Sequence, residues 1–177
     1  NPDLLWKKNR NNDYGDWLNG DTLKLTGFGM PEGISQMSKE VLGTAFFQQS
    51  TLLVSKMAAV IGKDDEAARY GKLAADIKAA FNKAYVQPDG RIRNADPPAG
   101  QQKGPKVRGN TQSDYALALD FDLLPDELRP VAAAHMVERI HAYKDHISTG
   151  FHTTARLMNQ LTAAGYTDIA YMLINNR

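Results

Sequence analysis

Apolar residues first fall into step near position 38. Residues 1–37 are polar, rich in Asn, Asp and Gly, and show no sustained period. Beyond them Val41, Leu42, Ala45, Phe46, Leu52, Leu53, Met57, Val60 and Ile61 recur at three- and four-residue steps. That spacing lines side chains along one face of an α-helix. Ser38 is the predicted N-cap. Gly62 is the predicted C′ residue, where the left-handed backbone is unstrained for glycine. A second stripe, Tyr70, Leu73, Ala74, Ile77, Ala80, Phe81 and Ala84, follows a cap expected at Asp64 or Asp65. Two helices joined by a turn of two or three residues make a helical hairpin.

The pattern then breaks. Residues 86–110 carry Pro88, Pro97, Pro98, Pro105 and several glycines with few apolar side chains, which predicts a long irregular loop. Loops beyond about 12–15 residues in a compact domain are usually functional or disordered. Helical spacing resumes at Thr111 with Tyr115, Ala116 and Leu119, and pauses at Leu124-Pro125. It continues from Asp126 through Val131, Ala132, Met136 and Ile140. Pro125 stands where proline is tolerated, at a helix start. After a polar stretch over 144–152, a third pair runs from Thr153 to Ala164 and from Asp168 to Ile174, around Gly165-Tyr166-Thr167. No segment alternates strictly for more than a few residues, so no sheet is predicted. The expected class is all-α, three antiparallel hairpins with short connections inside each and long ones between. They repeat in architecture and not in sequence, which favours a toroid or partial toroid over a solenoid. Residues 1–177 form one partial domain, with 1–37 and 86–110 as long rim loops.

Three polar stretches stand ahead of the predicted hairpins. They are Tyr14-Gly15-Asp16-Trp17-Leu18, Arg108-Gly109-Asn110-Thr111-Gln112 and His146-Ile147-Ser148-Thr149-Gly150-Phe151-His152. If helices alternate up and down, stretches ahead of every second helix gather at one pole. In the first, an indole beside a carboxylate suits a sugar: the C–H face of the ring stacks on Trp17 while hydroxyls donate to Asp16. The same pair also reads as a core anchor beside a turn cap. Gln112 can enter a cleft, with Asn110 or Thr111 as N-cap. His146 or Thr149 can bond a substrate hydroxyl, and Thr149 can equally cap a helix.

Composition removes several alternatives. The chain has no cysteine, hence no disulfide, thiolate chemistry or Cys-ligated zinc. Net charge is +1 from 21 basic and 20 acidic side chains spread along the length, without the basic patch that nucleic acid requires. No apolar run approaches the length of a membrane span. His135 and His141 are six apart, on different faces of one predicted helix, and no metal-ligand spacing occurs. Nucleophile-elbow and phosphate-binding glycine motifs are also missing, so neither metal nor cofactor is expected. No carboxylate carries a sequence signal of a general acid or base. The chain opens at Asn1-Pro2 with no signal-like stretch and stops just after an apolar helical turn, which reads as a segment of something longer. The compartment is left open.

Taken in order, Gly15-Asp16-Trp17-Leu18, Thr44-Ala45-Phe46-Phe47, Asp89-Gly90, and the run from Thr111-Gln112-Ser113-Asp114 to Leu119 resemble bacterial α-L-rhamnosidases of glycoside hydrolase family 78. The most specific part is His146-Ile147-Ser148-Thr149-Gly150-Phe151, similar to that family's H-[LV]-[ST]-T-G-F signature. Gly165-Tyr166 and Ala170-Tyr171-Met172-Leu173 follow it in the expected order. The resemblance implies part of an (α/α)6 barrel with the sugar site at one rim. It also implies an inverting reaction on rhamnose-containing glycosides, run by two carboxylates about 6.5–9.5 Å apart. The segments carrying that acid and base are expected before residue 1 and after residue 177. This chain would then supply sugar contacts to the remainder of the catalytic domain. Asp16 and Trp17 would meet the rhamnose ring, and Gln112, His146, Thr149 and Phe151 would shape the pocket floor. His152-Thr153-Thr154 departs from the family's Gly-Thr-containing run. The rival readings are a non-catalytic carbohydrate-binding or scaffold protein of the same shape, and an (α/α)6 glycosidase or lyase for another sugar.

Overall fold

The computed structural model describes residues 2–7, 15–20, 38–94 and 109–176. Within them lie α1 (Lys39–Val60), α2 (Asp64–Tyr85), α3 (Gln112–Asp120), α4 (Arg129–Ala142), α5 (Thr154–Ala163) and α6 (Thr167–Asn175). A short 3-10 turn, Asp126–Leu128, leads into α4. Consecutive helices pack as pairs, α1 with α2, α3 with α4 and α5 with α6, and α3 also touches α1 and α5. The expected three hairpins are therefore present, with α3 at their centre. Every residue of α3 from Gln112 to Leu119 is buried, as a helix surrounded by others requires.

Local chemistry sets the helix ends. Ser38 Oγ accepts from the Val41 N–H at 3.2 Å and starts α1. Thr111 starts α3 through a capping box: its hydroxyl accepts from the Asp114 N–H, and the Asp114 carboxylate accepts from the Thr111 N–H at 3.0 Å. Gly62, at φ +71°, ends the first helix of its hairpin. The cap expected at Asp64 or Asp65 falls instead on Lys63, with both aspartates inside the first turn of α2. There they complement the helix dipole rather than bond the N-terminal amides. Pro125 precedes the 3-10 turn, and α4 proper begins four residues later, with Pro130 in its first turn.

The core is a continuous cluster around α3. Phe81 and Tyr85 of α2, Tyr115 and Leu117 of α3, Met136 and Ile140 of α4, and Leu157 and Leu161 of α5 all belong to it. One expectation about α1 does not hold. Leu53, Met57, Val60 and Ile61 of the stripe are exposed, together with Val54, and Val60 reaches 87%. The helix has apolar residues on two faces, and the described partners cover only the one containing Val41, Leu42 and Ala45. Between α2 and α3 the chain makes isolated antiparallel bridges, Val86 with Ile92 and Arg93 with Gly109. Among the described residues there is no strand, and no helix is long and apolar enough to cross a membrane. Tyr14, Arg108, most of the two rim loops, and the carboxylates of Asp13, Asp21, Glu32 and Asp96 lie outside the described residues.

Candidate functional site

Residues 16–19 form a tight turn closed by the Asn19 N–H on the Asp16 carbonyl oxygen at 2.9 Å. Leu18 takes φ +64° inside it, a conformation uncommon for a bulky residue. The loop ahead of α5 runs alongside. The Gly20 N–H donates to the Ser148 carbonyl at 2.6 Å, and the Phe151 N–H to the Trp17 carbonyl at 3.0 Å. Gly150 makes this approach possible: a Cβ there would stand 2.5 Å from the Asp16 carbonyl oxygen.

Asp16 ties the two segments to α3 and α5. Its Oδ2 accepts from Ser113 Oγ at 2.7 Å, from the Gly150 N–H at 2.7 Å and from Thr153 Oγ1. Its Oδ1 accepts from the His152 N–H at 2.8 Å. Asn19 Nδ2 donates to Ser113 Oγ at 2.6 Å, and Thr153 Oγ1 lies 3.0 Å from Ser113 Oγ. Asp16 is 2% exposed, and its carboxylate faces these protein donors.

Gln112 has a similar position behind the loop. Its Nε2 donates to the His146 carbonyl at 2.9 Å, and its Oε1 accepts from the Ser148 N–H at 3.0 Å. Its side chain is fully buried. Thr149 shares a hydrogen bond with Thr154 across the loop at 2.9 Å, while Thr153, and not Thr149, occupies the N-cap position of α5. His146 Nδ1 contacts the Lys144 carbonyl at 2.5 Å.

Trp17 and Phe151 are the two named residues that come together at the surface. Their ring centroids are 5.4 Å apart with planes inclined by 33°. Both are exposed, Trp17 at 56% and Phe151 at 68%. Such a pair offers two adjacent apolar faces to a planar or ring-shaped ligand. Next in the chain, His152 rests edge-on against Phe46 at 5.5 Å. Phe46 in turn packs on Phe121 at 5.1 Å, and the Arg156 guanidinium covers Phe121 at 5.2 Å.

The sequence reading passed over Ser113, Thr153 and Asn19. Each is a small polar residue near a predicted turn or helix start, where capping explains it equally well. The usable signal was the number of hydroxyl residues ahead of α3 and α5, more than two helix starts require.

The sequence matches the family described as the bacterial alpha-L-rhamnosidase 6 hairpin glycosidase domain over residues 1–177. It is 40% identical over 164 residues to the alpha-L-rhamnosidase of Streptomyces avermitilis, covering 93% of this chain and 13% of that protein. Against the alpha-L-rhamnosidase of Formosa agariphila it is 32% identical over 170 residues, covering 93% of this chain and 16% of that one. The fold superposes on the crystal structure of the Streptomyces avermitilis alpha-L-rhamnosidase complexed with L-rhamnose. The TM-score is 0.77 at 38% identity, with 99% of this chain and 14% of that chain covered. The chain thus spans about a seventh of these relatives, and its three hairpins are part of a six-hairpin barrel. By sequence and by fold, it belongs to the bacterial α-L-rhamnosidase six-hairpin glycosidase family.

Proposed function

We propose that this chain is a part of an α-L-rhamnosidase catalytic domain and that Trp17 and Phe151 form the surface on which the rhamnose ring stacks. The observation that carries this reading is an exposed aromatic pair braced from beneath by a buried carboxylate. Rhamnose is a 6-deoxy sugar, and its methyl group and axial C–H bonds give it an apolar face that suits such a pair. Asp16 and Gln112 act from behind, holding the loops that carry the rings. Thr149 stiffens the 146–152 loop, and His146 closes its far end. The general acid and general base of an inverting reaction come from the remainder of the catalytic domain. They protonate the leaving oxygen and activate water on opposite faces of the sugar.

The test is hydrolysis of an aryl α-L-rhamnoside by the full-length protein that contains this chain, with the anomer of the product read by NMR. Turnover with inversion supports the assignment. Trp17→Ala should raise KM by about tenfold, as expected for losing roughly 1.4 kcal/mol of stacking. A folded protein that is stabilised by rhamnose but releases no aglycone would favour the carbohydrate-binding alternative. Turnover of a different aryl glycoside would favour another sugar.

A further inference from the structure

We propose that Asp16 is a positioning residue: through Ser113, Thr153 and the amides of 150 and 152, its carboxylate sets the spacing and tilt of the Trp17–Phe151 pair. This rests on the stacking role given to that pair above. The Gly150 and His152 amides flank Phe151, so the backbone on both sides of that ring is fixed to one carboxylate. Trp17 is the next residue after Asp16, and its carbonyl holds the Phe151 N–H. Both rings therefore hang from the same group, and a shift of that group moves them together.

Two details support a role beyond holding loops closed. Thr153 occupies the N-cap position of α5 but makes no capping hydrogen bond with its side chain. Its hydroxyl turns to Asp16 instead, leaving the start of α5 without that bond. The second detail is the buttressing of the donors. Ser113 Oγ receives Asn19 Nδ2 at 2.6 Å, so the hydroxyl that grips Asp16 is itself held from the turn that bears Trp17. This closed circuit passes through Asp16, Ser113 and Asn19 and back to the 16–19 turn. A shape-only role would need no such constraint on the direction of the carboxylate.

The test is a steady-state comparison in the full-length protein with an aryl α-L-rhamnoside. Thr153→Val removes the hydroxyl at nearly constant volume and should raise KM about fivefold with kcat within about twofold. Thr153→Ser should restore KM. In a Phe151→Ala background, Thr153→Val should change KM by less than about twofold, because the ring it positions is gone. Ser113→Ala, a milder deletion of one donor, should reproduce the KM shift if Thr153→Val folds poorly. Unchanged KM in both Thr153→Val and Ser113→Ala overturns the proposal. So does a parallel loss of kcat and thermal stability that Thr153→Ser fails to rescue. If Trp17→Ala and Phe151→Ala themselves leave KM unchanged, the stacking reading has failed, independently of what Thr153 does.

Discussion

A side chain at Gly150 would drive into the carbonyl oxygens of Asp16 and Trp17, which are main-chain atoms with little room to move. Gly150→Ala is expected to destabilise the protein by about 1–3 kcal/mol, the usual range for overpacking a tight site, as read from the urea midpoint. Thr111 presents the opposite case, where loss and not gain of atoms is costly. Thr111→Ala removes the hydroxyl half of the α3 capping box and should cost about 1–2 kcal/mol in the same measurement. At this scale the sequence was only partly legible. Trp17 stood out as an indole beside a carboxylate and Phe151 through the resemblance of its loop, but neither pattern said that both rings are exposed and adjacent. Asp16 drew attention as a candidate sugar contact, with a turn cap as its alternative. A carboxylate next to an indole suggests a ligand contact, while its actual donors are 97 to 137 positions away in the chain. No local pattern reveals partners at that distance. Gln112 was obscured in the same way, since its two loop partners are main-chain groups.

Individual helices were far easier to read, because a period of 3.6 residues and a glycine stop are local facts. Gly62 shows this directly: it has φ +71°, and a Cβ there would meet nothing within 4 Å. Gly62→Ala should therefore cost about 1–2 kcal/mol from backbone strain alone, with no steric part; thermal unfolding measures it. The turn between α2 and α3 makes an electrostatic contact with α4. His135 Nε2 lies 2.8 Å from the Asp89 carbonyl, and its Nδ1 lies 3.0 Å from Glu138. That hydrogen bond, reinforced by the neighbouring positive charges, holds the Glu138 carboxyl below its usual value. The Arg91 backbone N–H does the same for Asp89. Folded-state values lowered in this way contribute stability that is present above the unfolded values near 4. The contribution is lost as pH falls through the lower folded values. Urea midpoints should therefore fall between about pH 5 and pH 3, and Glu138→Gln should flatten part of that slope. What the pattern concealed is how far α1 is covered. Its apolar positions occupy two faces, and periodicity alone does not say which face meets a neighbour.

Among the described residues, Leu53, Met57, Val60 and Ile61 form an exposed apolar ridge at the end of α1, and Tyr171 and Ile174 of α6 are exposed as well. Contiguous apolar surface promotes association. The isolated 177-residue chain should self-associate in light scattering, and Met57→Lys with Val60→Lys should shift it toward monomer without loss of helical circular dichroism. A wild-type chain that stays monomeric at high concentration would count against an adhesive ridge. The all-α class and the gathering of three polar stretches at one pole were both readable in advance, since each follows from alternating helices and short turns. The knot that fixes the pole was not, because it is made by contacts between distant positions. Those contacts also order events in time. Each hairpin closes between neighbours in sequence and can form quickly, whereas joining Asp16 to Thr153 must first gather a loop of more than a hundred residues. Helices will thus be native while the two rings are still apart. A nascent or partly unfolded chain can look intact by its helical signal while the Trp17–Phe151 surface is still unassembled.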